Sequence, residues 1–180
     1  MPNVDLSRVP EYYYRYIRLA MHQDLPQAFA EHQAEAAAIL QPLTEEQWQY
    51  RYAEGKWSVK EMVQHLIDGE RIFCYRALCF ARKDNTPLPG FDENEYADAS
   101  EADRRSGAGL IEELMTVQKS SAQLFASFSE EALEQSGLAN NKSVYVRAIG
   151  YILVGHTRHH LNVLKERYGI GTKTWVPQEA

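Results

Sequence analysis

Cysteine is scarce in this sequence: there are two among 180 residues, Cys74 and Cys79. They are five residues apart in one predicted helix and form no Cys-x-x-Cys motif, so we expect no disulfide between them. A disulfide-stabilised secreted scaffold is thereby excluded, and free buried thiols in a reducing compartment are the expected state. The sequence shows no neighbour that would activate either thiol.

Long apolar runs and an excess of positive charge are also missing. No run of 18 or more residues is apolar, so we expect no membrane-spanning helix. The N-terminal sequence has no basic segment followed by an apolar one, so we expect no signal peptide and a cytoplasmic protein. The 19 Lys+Arg and 25 Asp+Glu give a net charge of −6, which argues against binding to nucleic acid or to an anionic membrane.

Helical periodicity is the main signal that is present. With 44% hydrophobic residues, the chain is long enough for a full core, and we predict one domain over residues 1–180. The alternation typical of strands is weak throughout, so the predicted class is all-α. Five helical segments are predicted, over residues 10–21, 26–40, 58–82, 108–128 and 143–168.

Capping residues mark several helix ends. Asp24 and Ser58 are predicted N-caps, Thr44 begins a capping box that opens a brief turn, and Gly169 is a predicted C-cap. Residues 83–106 are too long for a tight connection between bundle helices. They are either a cover over a functional site or a surface crossover.

Two histidines, His156 and His160, lie on the apolar face of the last predicted helix. With 100° per residue, both fall within the stripe that contains Ile149 and Ile152. Burying an imidazole without a partner costs a few kcal/mol. One metal ion would satisfy two rings four residues apart, whereas the alternative is a pair of hydrogen-bonded core histidines.

The third predicted helix carries His65 on the flank of its apolar stripe, where it could reach a site between helices. Glu70 falls within that stripe and therefore needs a partner. A structural ion pair with Arg76 or Arg147 is slightly favoured over a contact with a metal ligand or the metal. His159 is a lesser candidate at the edge of its stripe.

The two N-terminal histidines, His22 and His32, lie in or near polar parts of the first two segments. We interpret both as surface or rim residues.

Three segments together resemble the DinB-like superfamily. The run KWSVKEMVQHLIDGER, which contains His65, resembles its second-helix motif, and GHTRHHL, which contains His156 and His160, resembles its last-helix motif. LPGFDENEY in the long connection resembles one subgroup. One distant histidine together with a late His-x-x-x-His is more specific than either part alone.

The resemblance implies a four-helix bundle with up-down-down-up connectivity and a long crossover, and a divalent ion held by His65, His156 and His160. It also implies homodimers and enzymes that use low-molecular-weight thiols as cosubstrates. Other members of the superfamily are described only as metal-dependent hydrolases. The resemblance does not imply DNA binding.

An open site of three neutral imidazoles suits Zn, Ni or Fe(II), and Mn less well. Such an ion can activate water for hydrolysis or a thiol for transfer to a small-molecule substrate, and we expect thiol transfer over hydrolysis. Glu70 and His159 are the candidate catalytic residues. The alternatives are a non-enzymatic metal-binding stress-response protein and, less favoured, an oxygen-using Fe(II) enzyme.

Overall fold

The computed structural model describes residues 4–171 and Trp175, and over these residues four long helices form a bundle. The long helices are α2, α4, α6 and α8. In chain order the elements are α1 (Tyr14–Ile17), α2 (Leu25–Leu40), α3 (Glu45–Gln49), α4 (Val59–Ala81), α5 (Glu93–Ala99), α6 (Gly107–Ala126), α7 (Glu130–Leu133), β1 (Ser136–Ala139), β2 (Lys142–Tyr145) and α8 (Val146–Tyr168). The predicted four-helix bundle is confirmed.

Side-chain caps begin these helices where the sequence predicted them. The Asp24 carboxylate accepts from the Gln27 backbone N–H at the start of α2. Both predicted capping boxes, which begin at Thr44 and Ser58, are present. Gly169 ends α8 with a φ of +67°, a left-handed conformation that glycine adopts without strain.

The first predicted segment is only partly helical: a 3-10 turn (Glu11–Tyr13) leads into the single turn α1. The last helix begins at Val146, not near Ser143, because a short antiparallel hairpin precedes it. Asn140 and Asn141 form its turn with φ of 51° and 57°, as tight hairpin turns require. Four-residue strands show too little alternation to be recognised against the helical pattern.

Helices that follow one another along the chain do not all pack together. Helices α4 and α2 each pack against both α6 and α8. The order around the bundle is therefore α2, α6, α4, α8, with α2 diagonal to α4 and α6 diagonal to α8. Because α4 lies beside α8, residues 91 positions apart in the chain can meet.

The apolar core is divided into two clusters by polar side chains in the middle of the bundle. One cluster contains Phe29 and Phe80, and the other contains Leu40 and Leu110. Between them each long helix contributes buried polar groups, which we call the polar layer: His32, Glu70, Gln118, Ser121 and Thr157.

His32 was predicted at the surface, and this is wrong. It is 0% exposed, and its Nδ1 lies 2.8 Å from the Phe29 carbonyl oxygen. His22 is exposed, as predicted. Among the described residues, no helix combines the length and apolarity that crossing a bilayer requires.

Candidate metal centre

Three imidazole rings meet where α4 packs against α8. The Nε2 atom of His156 lies 3.0 Å from Nε2 of His65 and 3.1 Å from Nε2 of His160. Each of the three side chains offers one nitrogen, and these nitrogens all lie within 4.8 Å of one another. The structure thus brings together the three histidines that the sequence selected.

Local sequence explains how the rings approach one another. His156 and His160 are one turn apart on α8, so their rings stack along one face. One turn after His65, Gly69 packs against the His156 ring, whose Cε1 atom lies at an ordinary contact distance of 3.4 Å from the position a Cβ would take. The Trp57 ring lies against His65 on the outer side, with centroids 4.8 Å apart.

Burial keeps all three imidazoles neutral near pH 7. It lowers the pKa of His65 to about 4, a shift that the nearby Glu93 carboxylate opposes. Burial and then the neighbouring histidines hold the pKa values of His156 and His160 well below the ordinary value. Neutral rings present the lone pairs that a metal ion needs.

The donor set fits a divalent ion. A neutral imidazole carries one N–H, so three Nε2 atoms at one point cannot all be satisfied by hydrogen bonds to each other. The buried Nδ1 of His160 also has no protein partner among the described residues. Nitrogens bound to one tetrahedral Zn are about 3.3 Å apart, close to the two separations of 3.0 and 3.1 Å that His156 makes with its neighbours.

Glu70 does not form the ion pair predicted for it. Arg76 donates to the Pro89 carbonyl oxygen, and Arg147 pairs with Glu130 and Glu134. Glu70 is 3% exposed, and its Oε1 has no hydrogen-bond partner among the described residues. Burial raises the pKa of Glu70 to about 7, although a hydrogen bond with Ser121 opposes the shift.

His159, the second catalytic candidate, lies beside the three rings rather than among them. Its ring centroid is 5.3 Å from that of Tyr16 and 5.1 Å from that of His160. It is half-buried, and burial lowers its pKa. His159 therefore remains neutral near pH 7, with access to the neighbouring cavity.

A cavity of about 460 Å³ opens beside the histidines. Its charged lining is mostly cationic, with Arg15, Arg76 and Lys142 against the one carboxylate of Glu93 among the described lining residues. The remaining lining residues are Tyr12, Tyr13, Tyr16, Trp57, His65, Gly69, Phe73, Gly90, Phe91, Ala139, Asn140, Ile152, His156, His159 and His160.

Two parts of this lining were not predicted as site residues. The tyrosine-rich N-terminal segment supplies a wall that includes Tyr16, and the hairpin supplies Lys142. The density of tyrosines around residue 13 was a signal in the sequence for the N-terminal wall, but nothing in the sequence indicated the hairpin. Gly90, Phe91 and Glu93 come from the long connection, which favours its interpretation as a cover over the site.

Comparison with known proteins gives one family. The model of the DinB superfamily matches residues 28–164. A protein of Oceanobacillus iheyensis that carries the name "Putative metal-dependent hydrolase" is 27% identical over 125 residues, which are 68% of this chain and 71% of that protein.

The fold is also found in a solved structure. YfiT from Bacillus subtilis, described as "a probable metal-dependent hydrolase with an unusual four-helix bundle topology", superposes with a TM-score of 0.72 at 17% identity. The match covers 82% of this chain and 87% of that chain.

Proposed function

The chain belongs to the DinB superfamily, and on that premise we propose that it is a divalent-metal-dependent enzyme acting on a small molecule. The observation that carries the proposal is the convergence of three neutral Nε2 atoms at the wall of a cavity. His65, His156 and His160 are the proposed ligands. Three protein ligands leave positions open, as in catalytic rather than structural sites.

The proposed ion is Zn, Ni or Fe(II), because imidazole nitrogens suit these metals. When bound, such an ion lowers the pKa of a water or thiol at an open position. The chain's own residues bind and orient the substrate. Aromatic rings of Tyr16 and Trp57 pack around the histidines and exclude water, and the cationic side chains attract negative charge.

Hydrolysis is the first candidate reaction, because two similar proteins are described as hydrolases. Thiol transfer is the second, and one observation favours it. Hydrolysis needs a group that moves protons between water and the leaving group. Among the described lining residues, the carboxylate and imidazole groups outside the proposed ligand set are Glu93 and the half-buried His159. A thiol that is already deprotonated makes less demand on such a group.

Metal analysis tests the site. Protein purified without a nickel column should contain about one equivalent of a transition metal by elemental analysis, and the double variant His156→Ala/His160→Ala should contain none. His159→Ala is the matched control, since it removes a neighbouring imidazole on the same helix and should keep the metal. Stoichiometric metal in the double variant would disprove the proposed ligands.

Turnover assays separate the two reactions. The metal-loaded protein should be incubated with a panel of esters and amides, and separately with biological thiols plus a chloro-aromatic or epoxide acceptor. Metal-dependent product in either panel identifies the class, and loss of that product in the double variant assigns it to this site. Absence of turnover in both panels would favour a non-enzymatic metal-binding protein.

The homodimer is likewise a proposal, supported by the family resemblance. Light scattering on the purified protein should give twice the mass of the chain.

A further inference from the structure

Arg76 is a buried cation in the cavity wall with no carboxylate partner. It is 4% exposed, and no Asp or Glu of the described residues forms a salt bridge with it. Its recorded partners are neutral oxygens: the Pro89 carbonyl at 2.8 Å and the Tyr13 hydroxyl. Burial lowers the pKa of Arg76, which reflects this lack of negative charge.

Other largely buried arginines of this protein are paired. The side chains of Arg147 and Arg158 are each 11% exposed, and both form salt bridges with glutamates. This is the usual condition, because a buried charge without a counter-charge is strongly destabilising. Arg76, which lines the cavity beside the histidines, lacks such a counter-charge.

A structural role explains only part of this arrangement. The bond to Pro89 holds the long connection against α4, but that carbonyl and the Tyr13 hydroxyl together use only two of the five N–H donors of a guanidinium. A neutral carbonyl does not neutralise the charge. The remaining donors suit a planar anion, which arginine binds through two parallel hydrogen bonds.

The position of Arg76 defines the shape of a ligand. It follows His65 by eleven residues on α4, which is three turns, so both lie on one face about 16.5 Å apart along the axis. At the Arg76 end, the guanidinium carbon lies 5.1 Å from the centroid of the Phe73 ring and 5.9 Å from that of Phe91. The cavity therefore has histidines at one end, a cation at the other and aromatic rings near the cation.

We propose that the cavity binds an elongated small molecule whose carboxylate or phosphate group is held by Arg76, while its reacting end lies at the histidines. The exposed cations Arg15 and Lys142, which also line the cavity, add to the attraction. The inference rests on the proposed function insofar as it takes the occupant to be the substrate. Neither hydrolysis nor thiol transfer requires Arg76, so the inference goes beyond the proposed function.

Matched probes test the binding of the anion. Three compounds share a phenyl group and a short chain: 4-phenylbutyrate, the uncharged 4-phenylbutyramide and 3-phenylpropyl phosphate. Titration calorimetry on the metal-loaded protein should show at least tenfold tighter binding of one or both anions than of the amide. The carboxylate and phosphate arms identify which anion is preferred. Equal affinity of all three compounds would overturn the inference.

Variants assign that preference to Arg76. Arg76→Gln removes the charge but keeps a donor for the Pro89 carbonyl, so the preference should fall to within about twofold. Arg76→Lys keeps the charge and should retain part of the preference for the anions over the amide. This variant still tests the inference if Arg76→Gln does not fold. Arg82, an exposed arginine at the C-cap of the same helix, does not line the cavity, so Arg82→Gln should behave as wild type. An unchanged preference in Arg76→Gln contradicts the inference.

Carboxylates also bind metal ions, so the titrations are repeated on His156→Ala/His160→Ala. If Arg76 holds the anion, the preference persists in this variant. Its disappearance there would place the anion on the metal and overturn the inference. Metal content is measured separately in every variant, so failure of the metal proposal and failure of the anion proposal give different results.

Discussion

Glu70 is a carboxyl group buried in the middle of the bundle with no cation beside it. It forms a hydrogen bond with the Ser121 hydroxyl. The Cys74 thiol donates to the same hydroxyl oxygen, at 2.9 Å. Burial raises the pKa of Glu70 to about 7 because the charged form loses its hydration. The carboxyl group is therefore partly protonated at neutral pH.

Because of this raised pKa, the free energy of unfolding decreases as the pH rises. Between about pH 4.5 and 7 the folded protein holds a proton on Glu70 that the unfolded chain has released, so stability falls as the pH rises through this window. Glu70→Gln should remove the effect, with a gain on the order of 3 kcal/mol at pH 7.5 relative to wild type and little difference at pH 4.5.

Urea unfolding of both proteins at the two pH values measures this difference. The histidines titrate in both proteins, so their contribution cancels in the comparison. A constant difference between variant and wild type at both pH values would show that folding does not raise the pKa of Glu70.

At this scale the helical wheel predicted some residues and not others. It identified His156 and His160, since both lie within one apolar stripe. It could not identify the burial of His32 or the missing partner of Glu70, because a wheel gives the face of a helix but not what the neighbouring helix presents there. His65 was selected through the resemblance, and α4–α8 packing explains why a flanking position reaches the other two.

Helices α1 and α8 approach each other closely beside the site. A Cβ on Gly155 would lie 1.9 Å from the Tyr16 backbone oxygen. Only glycine allows this contact, and the contact places the Tyr16 ring 5.3 Å from His156 at an interplanar angle of 90°. One position in α8 thus sets the wall of the cavity.

Gly155→Ala should therefore separate the two helices and destabilise the protein by at least about 2 kcal/mol, since backbone cannot move aside as a side chain can. Gly109→Ala is the control, because its Cβ would meet no backbone of another element but only the N-cap hydroxyl of Ser106, at 3.1 Å, and it should remain within about 1 kcal/mol of wild type. Urea unfolding gives both values. Equal stabilities of the two variants would show that α1 shifts freely.

At the scale of elements, the sequence predicted the long helices and their caps but not the hairpin or the short α5. Strong periodicity marks the four long helices, and a capping box marks the start of α4. The hairpin depends instead on contacts between residues distant in sequence. Gly137 packs so closely against Phe80 that a Cβ would lie 2.1 Å from its ring, and the Leu88 backbone pairs with Ala139 in β1. Such packing leaves no local pattern.

For the molecule as a whole, the proposed ion joins two helices that are distant in the chain. His65 lies on α4, and the other two ligands lie on α8. An ion that binds only the folded protein stabilises it by mass action, by about 2.7 kcal/mol at 100 times its dissociation constant. For a chain of this size, that corresponds to roughly 5–11 °C in melting temperature.

Chelation should lower the melting temperature by this amount, and scanning calorimetry with and without chelator measures it. His65→Ala should lose the difference, because one ligand of the set is gone. His159→Ala should keep it. A chelator effect of the same size in His65→Ala would place the stabilising ion elsewhere.

The separation of 91 positions between His65 and His156 also determines when the proposed site can form in a growing chain. At about 5–20 residues per second, the ribosome completes the second part of the site roughly 5–18 s after the first. During this interval α4 has no α8 beside it, and one imidazole alone is a weak ligand. On the proposed ligand set, all three imidazoles can therefore hold an ion only after α8 has been made and has packed against α4.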